Sequence, residues 1–145
     1  MQAKITYVET MEDWDALAAQ LLAYAAGRRK FVLQGEIGAG KTTLVQAFAK
    51  KLGITEAVTS PTFSLVNEYR VGLEKNQAPI AMYHLDLYRL NHLHEALDLD
   101  IETLLSNDAY CFIEWPELIE PLRTEDLIVI KILVEGDSRR KILFL

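Results

Sequence analysis

The sequence predicts a mixed α/β fold whose sheet is parallel at its centre and antiparallel at its margins. Two short, unbroken apolar runs at residues 31–33 and 110–113 suit strands buried on both faces of a parallel sheet. Two further pairs of β-prone stretches, 62–69 with 80–87 and 127–134 with 141–145, have turn residues between them and read as hairpins. Among these strands lie segments whose apolar residues recur at helical spacing.

Taken in order, residues 1–10, MQAKITYVET, alternate polar and apolar side chains and lack the basic-then-apolar layout of a secretory leader. Residues 11–26 place Trp14, Leu17, Leu21, Leu22 and Tyr24 at helical spacing, with Thr10 as N-cap and Gly27 as stop. Phe31-Val32-Leu33 follows as a buried strand. Residues 44–52 then read as a helix ended by Gly53. The first hairpin comes next, and residues 92–105 return to helical spacing through Leu97, Ile101, Leu104 and Leu105. Tyr110-Cys111-Phe112-Ile113 is a second central strand, and the last hairpin turns at EGDS. There is no internal repeat, low-complexity stretch or linker. Residues 1–145 therefore read as a single domain, large enough to build a core without metal or disulfide staples.

Composition narrows the functional classes. Apolar runs are far too short for a membrane span. Cys111 is the only cysteine, so no disulfide forms within the chain and a reduced, cytoplasmic setting is expected. The formal net charge is −6, which disfavours tight nucleic-acid binding by this chain alone. The basic clusters Arg28-Arg29-Lys30, Lys50-Lys51 and Arg139-Arg140-Lys141 read as helix ends or turns.

Residues 33–43, LQGEIGAGKTT, contain G-x-x-x-x-G-K-[ST] without a gap, between a strand and a helix. Glycines let successive backbone N–H groups converge on phosphate oxygens, and the helix N-terminus adds partial positive charge. The expected nucleotide contacts are Gly35, Glu36, Gly38, Ala39, Gly40, Lys41, Thr42 and Thr43. Lys41 faces the β- and γ-phosphates, and the Thr42 hydroxyl ligates Mg²⁺. A second metal contact should be a carboxylate ending a neighbouring strand. Glu114 ends YCFI, an apolar strand suited to lie beside residues 31–33, and is preferred. Asp86 ends AMYHLD, a strand that is polar at His84 and more exposed in character, which leaves Asp86 for the metal's water shell or the attacking water. Either carboxylate has an alternative role as a helix cap. His84 lacks a second ligand at metal spacing and reads as packed or hydrogen-bonded; His92 and His94 read as surface residues. Thr59-Ser60-Pro61-Thr62 is open to two readings, a γ-phosphate-sensing switch or a proline-stiffened turn. Trp115 is either a core aromatic or a lid.

Four motifs now stand in order: GEIGAGKTT (35–43), SPT (60–62), HLDLYR (84–89) and IEWPE (113–117). Together they closely resemble the TsaE (YjeE) family, bacterial P-loop ATPases needed for threonylcarbamoyladenosine in tRNA. The resemblance covers nearly the whole chain, and Ile37 stands where leucine is usual. It implies a P-loop NTPase-like three-layer fold around a central mixed, partly antiparallel sheet. It implies ATP and Mg²⁺, with Thr42 and Glu114 as metal contacts. Lys41, Asp86 and Glu114 then serve hydrolysis, Thr62 is switch-like, and Trp115 lies near the nucleotide. The family's adenine pocket, near the start of the first helix and the last hairpin, makes Thr10, Met11 and Arg139 candidates. The implied partners are TsaB and TsaD, TsaD transferring the threonylcarbamoyl group, with tRNA met through them. Hydrolysis is then weak alone and stimulated by partners.

Three rival readings are weaker. A small-molecule kinase would add a lid with paired arginines, whereas Arg89 and Arg123 are isolated. A guanine-nucleotide switch would need D-x-x-G and N-K-x-D, and neither string occurs. In a non-hydrolysing adaptor, Asp86 and Glu114 would serve only structure.

Overall fold

A computed structural model describes residues 4–59, 61, 65–70, 81–87, 89–114, 117–122, 124 and 126–144. The chain runs β1 (Lys4–Val8), α1 (Met11–Ala25), β2 (Lys30–Gln34), α2 (Lys41–Lys51), β3 (Val66–Arg70), β4 (Ala81–Asp86), α3 (Leu93–Asp98), α4 (Ile101–Ser106), β5 (Tyr110–Glu114), a 3-10 helix (Glu117–Leu122), β6 (Ile128–Val134) and β7 (Arg140–Phe144).

These strands form one sheet in the order β1-β7-β6-β2-β5-β4-β3. The inner strands β6, β2, β5 and β4 are mutually parallel. β3 and β7 run against their neighbours, giving the expected antiparallel margins. Alternation along the strands splits the core in two. On one face Phe31, Leu33 and Phe112 pack with Leu17 and Leu21 of α1 and Leu44 and Phe48 of α2. The rings of Phe31, Phe48 and Phe112 meet at centroid distances of 4.5–5.1 Å. On the other face Val32, Leu85 and Ile113 pack with Ala96 of α3, Ile101 and Leu105 of α4 and Ile119 of the 3-10 helix. The result is the α/β/α sandwich that the motifs implied.

Helix α1 begins at a reciprocal cap. Asp13 N donates to Thr10 Oγ1 (3.1 Å), while Asp13 Oδ2 accepts from the backbone N–H groups of Thr10 (3.1 Å) and Glu9 (2.9 Å). It ends at Ala26, which adopts the left-handed conformation (φ 51°).

The structure corrects several expectations. Residues 4–8 form an edge strand, so the alternation there was a strand signal. The helix expected over 92–105 is broken in two at Leu99-Asp100. Asp100 is left-handed (φ 58°), and its carboxylate accepts from Thr103 Oγ1 at 2.9 Å. An aspartate whose side chain bonds its own local turn competes with helix continuation. β4 is not an exposed strand: it lies between β3 and β5, and His84 is fully buried. Nor does Lys30 decorate a turn. It is buried, and its ammonium donates to Asn107 Oδ1 (2.8 Å) and the Ala109 carbonyl. That burial pushes its pKa down, opposed by Cys111 and Asp108.

Candidate functional site

The site forms where the parallel strands end, the usual ligand crevice of such sheets. Leu33 pairs in register with Glu114, and Glu114 with Asp86. The loop after β2 therefore begins one strand from Glu114, and the two carboxylates sit side by side on adjacent strands. An open cleft of about 860 Å³ lies there, lined by Gly35, Glu36, Ile37, Gly38, Gly40, Lys41, Thr42, Thr43, Asp86, Arg89 and Glu114.

The glycine loop is built by steric necessity. Gly38 (φ 82°) and Gly40 (φ 118°) occupy backbone space that L side chains rarely adopt. A Cβ on Gly35 would meet the Ile132 carbonyl oxygen at 2.9 Å. One on Gly40 would meet the Trp14 indole at 2.7 Å. Trp14 is thus the floor under the loop, a role that its place on the apolar stripe of α1 did not reveal. The loop is also braced from β7: Arg140 donates to the carbonyls of Ala39 (2.9 Å) and Gly38 (3.4 Å). Arg140 was read only as turn decoration. α2 starts at Lys41 with Gly40 at its N-cap and no side-chain cap, so its first-turn amides face the cleft.

Lys41 is held by two groups. Its Nζ donates to the Gly35 carbonyl (2.8 Å) and lies 3.0 Å from Glu114 Oε1. The other carboxylate oxygen, Oε2, lies 3.7 Å from His84 Nε2, too far for a hydrogen bond. Glu114 Oε2 and both His84 ring nitrogens are buried without a hydrogen-bond partner among the described residues. Burial pushes the Glu114 carboxyl up, but His84 and Lys41 together outweigh it and hold the pKa below the ordinary value.

These observations bear on what the cleft can hold. No cluster of three or more His, Cys, Asp or Glu suited to a metal occurs among the described residues. A divalent cation held entirely by protein does not fit. A cation held by the Thr42 hydroxyl, the orphaned oxygen of Glu114, water and ligand phosphates does.

The other sequence candidates are placed as follows. Ala39 is fully buried in the loop rather than facing the cleft. Thr10 caps α1, Met11 is exposed beside it, and Arg139 lies over the Tyr7 ring (4.5 Å) and 3.9 Å from Glu9; none of the three lines the cleft. His92 and His94 are exposed, with stacked rings. Thr62 and Trp115 lie outside the described residues. The segment leading toward Thr62 is tied to the sheet: Thr59 N donates to Tyr69 Oη (3.3 Å) and Asn67 Nδ2 to the Thr59 carbonyl (3.2 Å). Leu65, left-handed at φ 65°, accepts from Asp86 N at 2.8 Å. No described helix is long and apolar enough to cross a membrane.

Comparison with known proteins agrees with this architecture. Residues 8–142 match the family model "Threonylcarbamoyl adenosine biosynthesis protein TsaE". The chain is 36% identical to the tRNA threonylcarbamoyladenosine biosynthesis protein TsaE of Bacillus subtilis (strain 168), covering 92% of this chain and 79% of that one. It is 33% identical to the Aquifex aeolicus protein of the same name, covering 96% and 93%. The crystal structure of Bacillus subtilis YdiB superposes with a TM-score of 0.70 at 29% identity, over 99% of this chain and 84% of that one. A match over nearly the whole length, on a sheet whose strand ends bring the loop and both carboxylates together, establishes that the chain belongs to the TsaE family of tRNA threonylcarbamoyladenosine biosynthesis proteins.

Proposed function

We propose that this protein is a Mg²⁺-dependent ATPase that supports threonylcarbamoyladenosine modification of tRNA by acting with TsaB and TsaD, without transferring the threonylcarbamoyl group itself. The observation that carries the reading is the convergence of Lys41, Thr42, Asp86 and Glu114 on one cleft at the mouth of a glycine loop.

In this scheme the loop amides and the N-terminus of α2 receive the phosphates. Lys41 exchanges its contact with Glu114 for the β- and γ-phosphate oxygens. That exchange leaves both Glu114 oxygens free, and Glu114 and Thr42 are the residues that would hold Mg²⁺. When bound, the ion would supply charge neutralisation of the phosphates. Asp86, one strand from Glu114, orients the attacking water or the ion's water shell. His84 remains buried behind Glu114, 3.7 Å from its Oε2. Docking of partners brings Thr62 into play and completes the site, so that turnover in isolation is slow. The acidic net charge of −6 fits a division of labour in which partners hold the tRNA.

The test is steady-state ATP hydrolysis with Mg²⁺, first with the chain alone and then with TsaB and TsaD from the same source. Strong stimulation that is lost in Glu114→Ala supports the reading. Transfer of phosphate to a small acceptor, without stimulation, would replace it with a kinase.

A further inference from the structure

Arg89 stands three residues beyond Asp86, past the end of β4, and lines the cleft together with Lys41, Asp86 and Glu114. Among the described lining residues the cations are Lys41 and Arg89, against the carboxylates of Glu36, Asp86 and Glu114. Lys41 is already committed to Glu114 at 3.0 Å, so a triphosphate entering the cleft meets an excess of negative side chains. The order β2-β5-β4 fixes where each cation stands. Lys41 rises from the loop beyond β2, and Arg89 comes from β4, on the far side of the Glu114 strand. In the ATPase reading, the loop takes the inner phosphates and leaves the terminal one toward the two carboxylates. A guanidinium on the Asp86 side would then stand toward the terminal phosphate.

We propose that Arg89 contacts the γ-phosphate, supplying from within the chain the second cation that stabilises charge on the transferring group. The inference rests on the ATPase reading above and adds a residue that neither the loop motif nor the metal contacts include. Its planar fork can bind two phosphate oxygens at once, which a lysine ammonium cannot reproduce. It also gives the cleft a means of telling ATP from ADP, since only the triphosphate reaches it. Arg89 is exposed and belongs to neither hydrophobic core.

The test uses the full chain with Mg²⁺ and two probes, ADP and a non-hydrolysable ATP analogue, titrated by displacement of a fluorescent nucleotide. Hydrolysis with TsaB and TsaD is followed in parallel. For Arg89→Ala the expected result is an affinity loss of about tenfold for the analogue, from one lost charge-assisted contact, with ADP affinity unchanged. Turnover should fall about 100-fold or more. Arg89→Lys should recover part of the analogue affinity but little of the turnover. Equal losses for both nucleotides, or no loss for either, would overturn the proposal while leaving the ATPase reading standing. A wild-type chain that binds neither nucleotide would overturn both.

Discussion

The Lys41 ammonium and the Glu114 carboxylate form an ion pair of 3.0 Å across the mouth of the cleft, joining the glycine loop to the end of β5. Lys41 is also among the groups that hold the Glu114 carboxyl below its ordinary pKa against the opposing effect of burial. The pair holds both side chains in place, and under the ATPase reading proposed above such preorganised charge is the main catalytic resource.

Lys41→Ala is expected to lower partner-stimulated hydrolysis by about 100-fold or more, because it removes the loop's own cation. Full partner-stimulated turnover in this variant, measured by phosphate release, would rule out the scheme.

Gly40→Ala is expected to destabilise the fold by about 2–4 kcal/mol, combining left-handed strain with overpacking against Trp14. Removing the indole should relieve only the steric part. In a Trp14→Ala background the Gly40→Ala cost should therefore shrink, and a double-mutant cycle from urea unfolding reads the difference. Strict additivity would show that the ring is not the obstacle.

Ala26→Gly should stabilise the chain by about 0.5–1 kcal/mol, since Ala26 is exposed and left-handed at the end of α1, where glycine is favoured. For a domain of this size that is a rise in Tm of about 1–4 °C. A lower Tm would mean that the cap gains more from the methyl group than its backbone loses.

The α1 cap sets an acid limb of stability. The Asp13 carboxyl is held below its ordinary pKa, mainly by the backbone N–H groups of Glu9 and Thr10. A lowered folded-state value gives stability that is present above the unfolded pKa and is lost as pH falls through the folded one. Thermal unfolding of wild type should therefore steepen below pH about 4 relative to Asp13→Asn, which keeps the shape without the titration. Parallel curves for the two proteins would remove the cap from the acid response.

How much of this was legible beforehand follows the physics of each segment. The strands at 31–33 and 110–113 were readable because burial on both faces demands unbroken apolar runs. Their adjacency, and hence the neighbourhood of Glu114 and the loop, followed from the same pattern. His84 was rightly read as packed, but β4 as a whole was judged more exposed in character because a polar residue interrupts it; its burial depends on β3 covering the far side, which is tertiary information. The break at Asp100 was hidden because helical apolar spacing continues across it. Trp14 and Arg140 touch the loop only through folding, from 26 residues upstream and about 100 downstream, so the loop motif gives no hint of them. Arg89 was visible in HLDLYR but had no assigned chemistry until the cleft placed it beside Asp86.

The placement of β2 has a consequence for synthesis. Phe31 finds its flanking partners at Phe112 and Ile128, both far along the chain, so the strand that carries the loop has two bare edges while the intervening residues are made. Contacts of such long sequence separation form late and slowly. A nascent chain emerging from the ribosome thus encodes its glycine loop early but cannot seat it until β6 has followed. Chains arrested before that point should be inert toward nucleotide and prone to stick by their open strand edges, rather than partly active.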